Sequence, residues 1–227
     1  MANIFKRKGC GIIAAVFSFG ALVMIVMALV TEHWVYAALL RKGENTTAPG
    51  GTKDFGLFDG HVTVNFGLGQ RGRDFKVKDE FEGVANDNAM WVTLGFALLS
   101  IPFICIGIGM LCYNEFSKTN LTICGTLGVF IAHSIAFLLI LTAVAVYGIL
   151  FESQLKENVL RPDDKKHGFD STGLSSLEYS FWVLLGAAGV VLLSPFIFLL
   201  SKAHLTHYFK TSPKAREAAV ADGVMLY

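Results

Sequence analysis

Few side chains could do chemistry within the apolar stretches of this chain. Cysteine and tyrosine aside, His133 is the only ionisable residue inside an apolar run, a position that marks a functional group by default. Two readings stand open for it: a station on a proton or ion path, or a packing histidine satisfied by Ser134, Thr142 or a backbone carbonyl. No carboxylate, lysine or arginine shares those runs, so a relay would have no second station. His204 and His207 lie three apart, a spacing that places both on one helical face, but neither Cys nor carboxylate stands beside them and a metal site is not expected. His61 is isolated, and His167 follows Asp163-Asp164-Lys165-Lys166 in a segment that reads as solvated. Nothing matches a phosphate-cradling glycine loop, a His-Glu-x-x-His zinc site or a Gly-x-Ser-x-Gly elbow. The expectation is a non-enzymatic protein with no catalytic residue, metal or cofactor.

The elements that hold these residues are defined by missing charge. No Asp, Glu, Lys or Arg occurs between Lys8 and Glu32, Asp87 and Glu115, Lys118 and Glu152, or Glu178 and Lys202. Each window exceeds the ~20 apolar residues a helix needs to cross about 30 Å of hydrocarbon. A charge at the centre of such a helix costs about 2.5–3.5 kcal/mol on insertion scales, so the windows predict four membrane passes. With 53% hydrophobic residues, little chain is left for a separate soluble domain, and a net charge of +1 gives no basic footprint for nucleic acid. The first window is longer than a signal-peptide core of about 7–15 residues and ends in Glu32-His33-Trp34 rather than a cleavage site, so it reads as a retained anchor.

Lys6-Arg7-Lys8 beside the first window sets the N-terminus in the cytoplasm. The expected order is a cytoplasmic segment 1–9, helix 10–30, outer loop 31–88, helix 89–112, cytoplasmic linker 113–122, helix 123–150, outer loop 151–177, helix 178–201 and cytoplasmic tail 202–227. The plasma membrane is the expected location. Asn45-Thr46-Thr47 is then an outer sequon that carries glycan, whereas Asn120-Leu121-Thr122 faces the cytoplasm and stays bare. All four cysteines, Cys10, Cys105, Cys112 and Cys124, lie in or at the ends of apolar windows, so no disulfide staples an outer loop. They read as small buried residues, with palmitoylation of Cys10, Cys112 or Cys124 as the alternative. Small residues predict helix interfaces, because lipid supplies no hydrophobic force between helices: Ala14, Ser18 and Ala21; Gly95, Gly107 and Gly109; Gly128, Ala132 and Ala136; Gly186 and Gly189.

The first outer loop is too long to be structureless. His33-Trp34-Val35-Tyr36 stands where an interfacial aromatic belt is expected. His61-Val62-Thr63-Val64-Asn65-Phe66 alternates apolar and polar residues, the pattern of a half-buried strand. A small antiparallel sheet over the outer helix ends is expected, followed by a short helix within the charged stretch from Lys76 to Asn88.

Trp34 followed by Phe55-Gly56-Leu57-Phe58 resembles the Trp…Gly-Leu-Trp arrangement of the claudin superfamily, without its loop cysteine pair. The clarins, four-pass relatives of that superfamily, resemble the chain more closely. Phe55-Gly56-Leu57-Phe58-Asp59-Gly60 is similar to their Tyr-Gly-Leu-Phe-x-Gly, and Gly67-Leu68-Gly69 to a later glycine segment. Tyr113-Asn114 with Gly125-Thr126-Leu127-Gly128 resembles the junction of their second and third helices, Thr126 replacing a proline. Tyr179-Ser180-Phe181-Trp182 and the ending Asp222-Gly223-Val224-Met225-Leu226-Tyr227 are similar in turn. The resemblance spans the chain in order. It implies an all-α four-helix bundle with a claudin-like outer sheet, and a scaffold that binds or traffics partner membrane proteins in sensory-cell membranes, with a link to the cytoskeleton. Candidate contact residues are Trp34, Phe55, Gly56, Leu57, Phe58 and Gly60, which could equally serve only to fold the loop. Met225, Leu226 and Tyr227 form an apolar carboxyl end suited to a PDZ-type groove. The rival readings are a channel or transporter auxiliary subunit and a claudin-type adhesion protein.

Overall fold

A computed structural model describes residues 2–42, 47–65, 69–82, 87–116 and 125–211. Helix α1 (Ala2–Val30) leads into strands β1 (Val35–Lys42), β2 (Thr47–Phe55), β3 (Asp59–Asn65) and β4 (Gln70–Lys76). A short helix α2 (Val77–Phe81) precedes α3 (Asp87–Phe116), and α4 (Thr126–Leu150) runs on into a π-helical turn (Phe151–Leu155). Then come α5 (Pro162–Lys166), β5 (Phe169–Asp170), β6 (Ser175–Leu177) and α6 (Tyr179–Thr211). Four of these helices are long and apolar enough to cross a membrane, over Gly11–Val30, Asn88–Phe116, Thr126–Leu155 and Tyr179–Leu200.

In the bundle, α1 and α4 each pack against both α3 and α6. The stripe Ala14, Ser18 and Ala21 is buried on α1, as are Ala132 and Ala136 on α4. On α3 and α6 the glycines fill this role less than expected. Nothing lies within 4 Å of a Cβ placed at Gly95, Gly109 or Gly189. Their interfaces are made by Ala97, Ser100, Ile104 and Gly107 on α3 and by Leu184, Ala187, Ala188 and Val191 on α6. Cys105 and Cys112 are exposed on α3 rather than buried.

The sheet runs β4-β3-β2-β1-β5, with β6 also pairing with β1. It extends beyond the first loop, because β5 and β6 of the second loop bond to the far side of β1. Alternation chooses its faces: Val35, Ala37 and Leu39 of β1, Phe55 of β2, Val62 of β3 and Phe75 of β4 all turn inward. A register shift between Leu39 and Leu40 falls opposite Gly50 and Gly51. Gly51 has φ +141°, and a Cβ there would run into the carbonyl of Thr63, so the strand needs glycine at this point.

Trp34 is fully buried instead of lining the membrane boundary. Its ring packs edge-on against Tyr147 at 4.6 Å and near Phe181 at 6.4 Å, and its indole N–H donates to the Ala28 carbonyl at 2.7 Å. The exposed aromatics at the sheet-proximal helix ends are Trp91, Tyr179 and Trp182.

Candidate functional site

The Phe55–Gly60 motif is the turn that joins β2 to β3 and seats the sheet on the helices. Phe55 is fully buried against Phe81, ring centroids 4.8 Å apart, and Leu57 is buried beside it. Gly56 allows a close approach: a Cβ there would stand 2.5 Å from the Thr31 carbonyl oxygen at the end of α1. At Gly60 a Cβ would stand 2.5 Å from Phe55 Cβ and 2.6 Å from the Phe75 ring. Of the six loop residues expected to form a contact surface, Trp34, Phe55, Gly56, Leu57 and Gly60 are therefore packed inward. Phe58 alone presents its side chain, 44% exposed.

Beneath the sheet lies a charged clasp that the sequence reading missed. Lys53 and Glu80 are both buried, and Lys53 Nζ donates to Glu80 Oε1 at 3.0 Å and to the Val159 carbonyl at 2.7 Å. The ammonium also lies over the Phe75 and Phe81 rings, 4.8 Å and 4.9 Å from their centroids. The Glu80 carboxylate takes two further cations, Arg73 at 3.2 Å and Arg161 at 3.2 Å. Arg161 donates to the Asp79 carbonyl as well, at 2.6 Å. Four segments thus converge on one carboxylate: β2, β4, α2 and the loop between α4 and α5. Burial pushes the Lys53 ammonium below its ordinary value, against the opposing pull of Glu80. Spacing could have exposed the clasp. Lys53 alternates with inward-facing Phe55, and Val77, Glu80 and Phe81 share one helical stripe.

On the opposite face of the sheet, Tyr36, Asp54, His61 and Asp74 align across β1 to β4. His61 is not isolated: its Nδ1 lies 2.6 Å from Asp74 Oδ1. Burial and neighbouring Glu178 raise the Asp54 carboxyl, and His33 and His61 pull it down again. Among the described residues no group of three or more His, Cys, Asp or Glu is arranged to hold a metal ion.

Within the bundle His133 is fully buried, and its partners are not Ser134 or Thr142. Nδ1 lies 2.9 Å from the Val129 carbonyl and Nε2 lies 2.8 Å from Ser18 Oγ of α1. A carbonyl only accepts, so Nδ1 carries the proton, and Nε2 bonds to the Ser18 hydroxyl. Ser18 Oγ is 2.6 Å from Ser194 Oγ of α6, which donates to the Ala14 carbonyl at 2.8 Å. The ring occupies the space beside Gly107 of α3. All four long helices meet at this node. It lies in the half of the bundle remote from the sheet, seven residues after Thr126 and seventeen before Leu150. Its polar atoms bond to one another and to backbone carbonyls.

Asn45, Met225, Leu226 and Tyr227 lie outside the described residues, as do Cys124, Gly67, Leu68 and the Asn120 sequon.

Four apolar helices, with an antiparallel sheet gathered from the two long loops and clasped over one end, define a multi-pass membrane protein of claudin-like architecture. The sequence model of the Clarin-2-like family matches residues 5–197. Human Clarin-1 is 28% identical over 193 residues, an alignment covering 79% of this chain and 81% of that protein. The chain belongs to the Clarin-2-like family.

Proposed function

We propose that this chain is a non-enzymatic membrane organiser. Its bundle anchors an outer platform that binds or traffics partner membrane proteins. The observation carrying this reading is how the polar groups are spent. His133, Ser18 and Ser194 inside the bundle bond to one another, whereas the sheet and clasp build a surface with exposed side chains above the helices. Lys6-Arg7-Lys8 supports cytoplasmic termini with the platform outside the plasma membrane and glycan on Asn45. Within the platform Phe58 is the contact residue, and Trp34, Phe55, Gly56, Leu57 and Gly60 hold it in place. Met225, Leu226 and Tyr227 serve a PDZ-type scaffold on the cytoplasmic side, the route to the cytoskeleton. Membership of the Clarin-2-like family supports sensory-cell membranes as the setting for this work.

Reconstitution tests the reading against a conduit. Purified protein in liposomes is expected to pass no ions. Ion flux that falls on His133→Ala would overturn the organiser reading. Deleting Met225-Leu226-Tyr227 is expected to abolish capture by PDZ domains; unchanged capture removes the tail from the account. Claudin-type strand formation is disfavoured, since residues 31–88 contain no cysteine.

A further inference from the structure

Strand β4 is one edge of the sheet, bonded to β3 on one side and to no described element on the other. Two backbone bonds tell which groups face outward. Val77 N–H donates to the Phe58 carbonyl at 2.8 Å, and Gly56 N–H donates to the Asp59 carbonyl at 2.9 Å. Bonded and unbonded pairs alternate along an antiparallel ladder. Carried through the registers, both bonds make Arg71, Arg73 and Phe75 the β4 residues that bond to β3. Gln70, Gly72, Asp74 and Lys76 therefore aim their N–H and C=O groups away from the sheet. That is the repeat an added extended chain needs.

The side chains restrict what can be added. Arg71 and Arg73 share one face of the strand. Arg73 is half-exposed while paired with Glu80, and Arg71 is exposed with no ion-pair partner among the described residues. A second copy of this chain fits poorly. Antiparallel pairing centred on Gly72 sets Arg71 opposite the other copy's Arg73, and centring on Arg73 or Asp74 sets that residue opposite itself. Each of these registers opposes like charges, which destabilises a strand pair, and centring on Phe75 leaves only Asp74 to Lys76 of each strand to pair.

From this edge and its two arginines, we infer that β4 receives by strand addition an extended segment of a partner protein whose alternate side chains, facing Arg71 and Arg73, are acidic. This deepens the organiser reading by naming the surface and the chemistry of what it takes.

The test uses full-length protein in nanodiscs and a fluorescent nonapeptide of alternating Thr and Glu, read by anisotropy. Wild type is expected to bind it. Gly72→Pro removes an outward N–H while sparing the bonds to β3, and should weaken binding by about tenfold or more, the effect of one lost interaction. Gly72→Ala keeps the N–H, its Cβ displaces only the half-exposed His61 ring that stands 2.9 Å away, and it should bind normally, separating loss of the edge from loss of fold. Arg71→Glu should also weaken binding about tenfold. The same peptide N-methylated at alternate amides along its bonding edge should not bind. Equal binding of the N-methylated peptide, of a Thr-Lys peptide or by Gly72→Pro overturns the inference. So does dimerisation of the protein through β4, or no binding by wild type. Failure here leaves the organiser reading intact, because that reading is judged on partners recovered from native membranes.

Discussion

Gly107 of α3 and His133 of α4 interlock: the imidazole fills the space in which a Cβ at position 107 would stand. The ring can then reach Ser18 across the bundle axis and its own Val129 carbonyl at once. Shape and hydrogen bonding are therefore coupled at a point where all four long helices meet.

Gly107→Ala is expected to destabilise the bundle by about 1–3 kcal/mol, the usual cost of overpacking. His133→Ala should cost about 1 kcal/mol, the scale of a hydrogen bond between membrane helices. The double variant should be more stable than the sum of the two losses predicts, because the smaller side chain vacates the space the new methyl needs. Thermal melting of purified protein gives all three values, and strict additivity would disprove the contact.

The clasp yields an asymmetric prediction. Glu80→Ala strands the Lys53 ammonium in an apolar pocket and should cost about 3–5 kcal/mol. Lys53→Met should cost clearly less, since the methionine stem fills the same space and Glu80 retains Arg73 and Arg161. Melting curves of the two variants should separate in that order.

Lys53 also predicts a pH dependence. Burial lowers its folded value below the ordinary 10.5. Between those two values the unfolded chain holds a proton that the folded chain lacks, so the Lys53 contribution to stability rises with pH across that window. The melting temperature of wild type relative to Lys53→Met should therefore rise as pH approaches 10.5. A falling difference would contradict the burial of the charge.

The glycan tests which side of the membrane holds the sheet. Expressed in a glycosylating cell, the chain should carry one N-glycan, lost in Asn45→Gln and unaffected in Asn120→Gln. Glycan on Asn120 would invert the assigned orientation.

The bundle was legible because missing charge is a one-dimensional signal. Four clean windows mark four long helices whatever their packing. The alternation of Val62 and Val64 likewise marked β3, and the charged stretch after Lys76 marked α2. Pairing was less visible. Strands β5 and β6 are two and three residues long, too short for a period, and they join the sheet only because α4 and α6 return the chain to β1. His133 stood out as a polar residue in an apolar run, but its partner Ser18 lies 115 positions away, and Ser194, which bonds to Ser18, lies 176 positions from that serine, beyond any local pattern. Trp34 misled for a related reason. A tryptophan beside a helix end reads as a boundary residue, until the Ala28 carbonyl and the Tyr147 ring are seen to bury it.

The Phe55–Gly60 motif separates folding from binding, and so gives the most direct test of an outer platform that works by contact. Gly56→Ala and Gly60→Ala should lower the amount of folded protein, because each new Cβ meets backbone or ring atoms at 2.5–2.7 Å. Phe58→Ser removes an exposed side chain and should leave melting within about 0.5 kcal/mol of wild type. Cross-linking and recovery of partner proteins from native membranes, comparing wild type with Phe58→Ser, is then the decisive measurement. Phe58→Ser is expected to reach the membrane in normal amount and to recover its principal partners at a fraction of the wild-type yield. Recovery of the same partners at the same yield would contradict it.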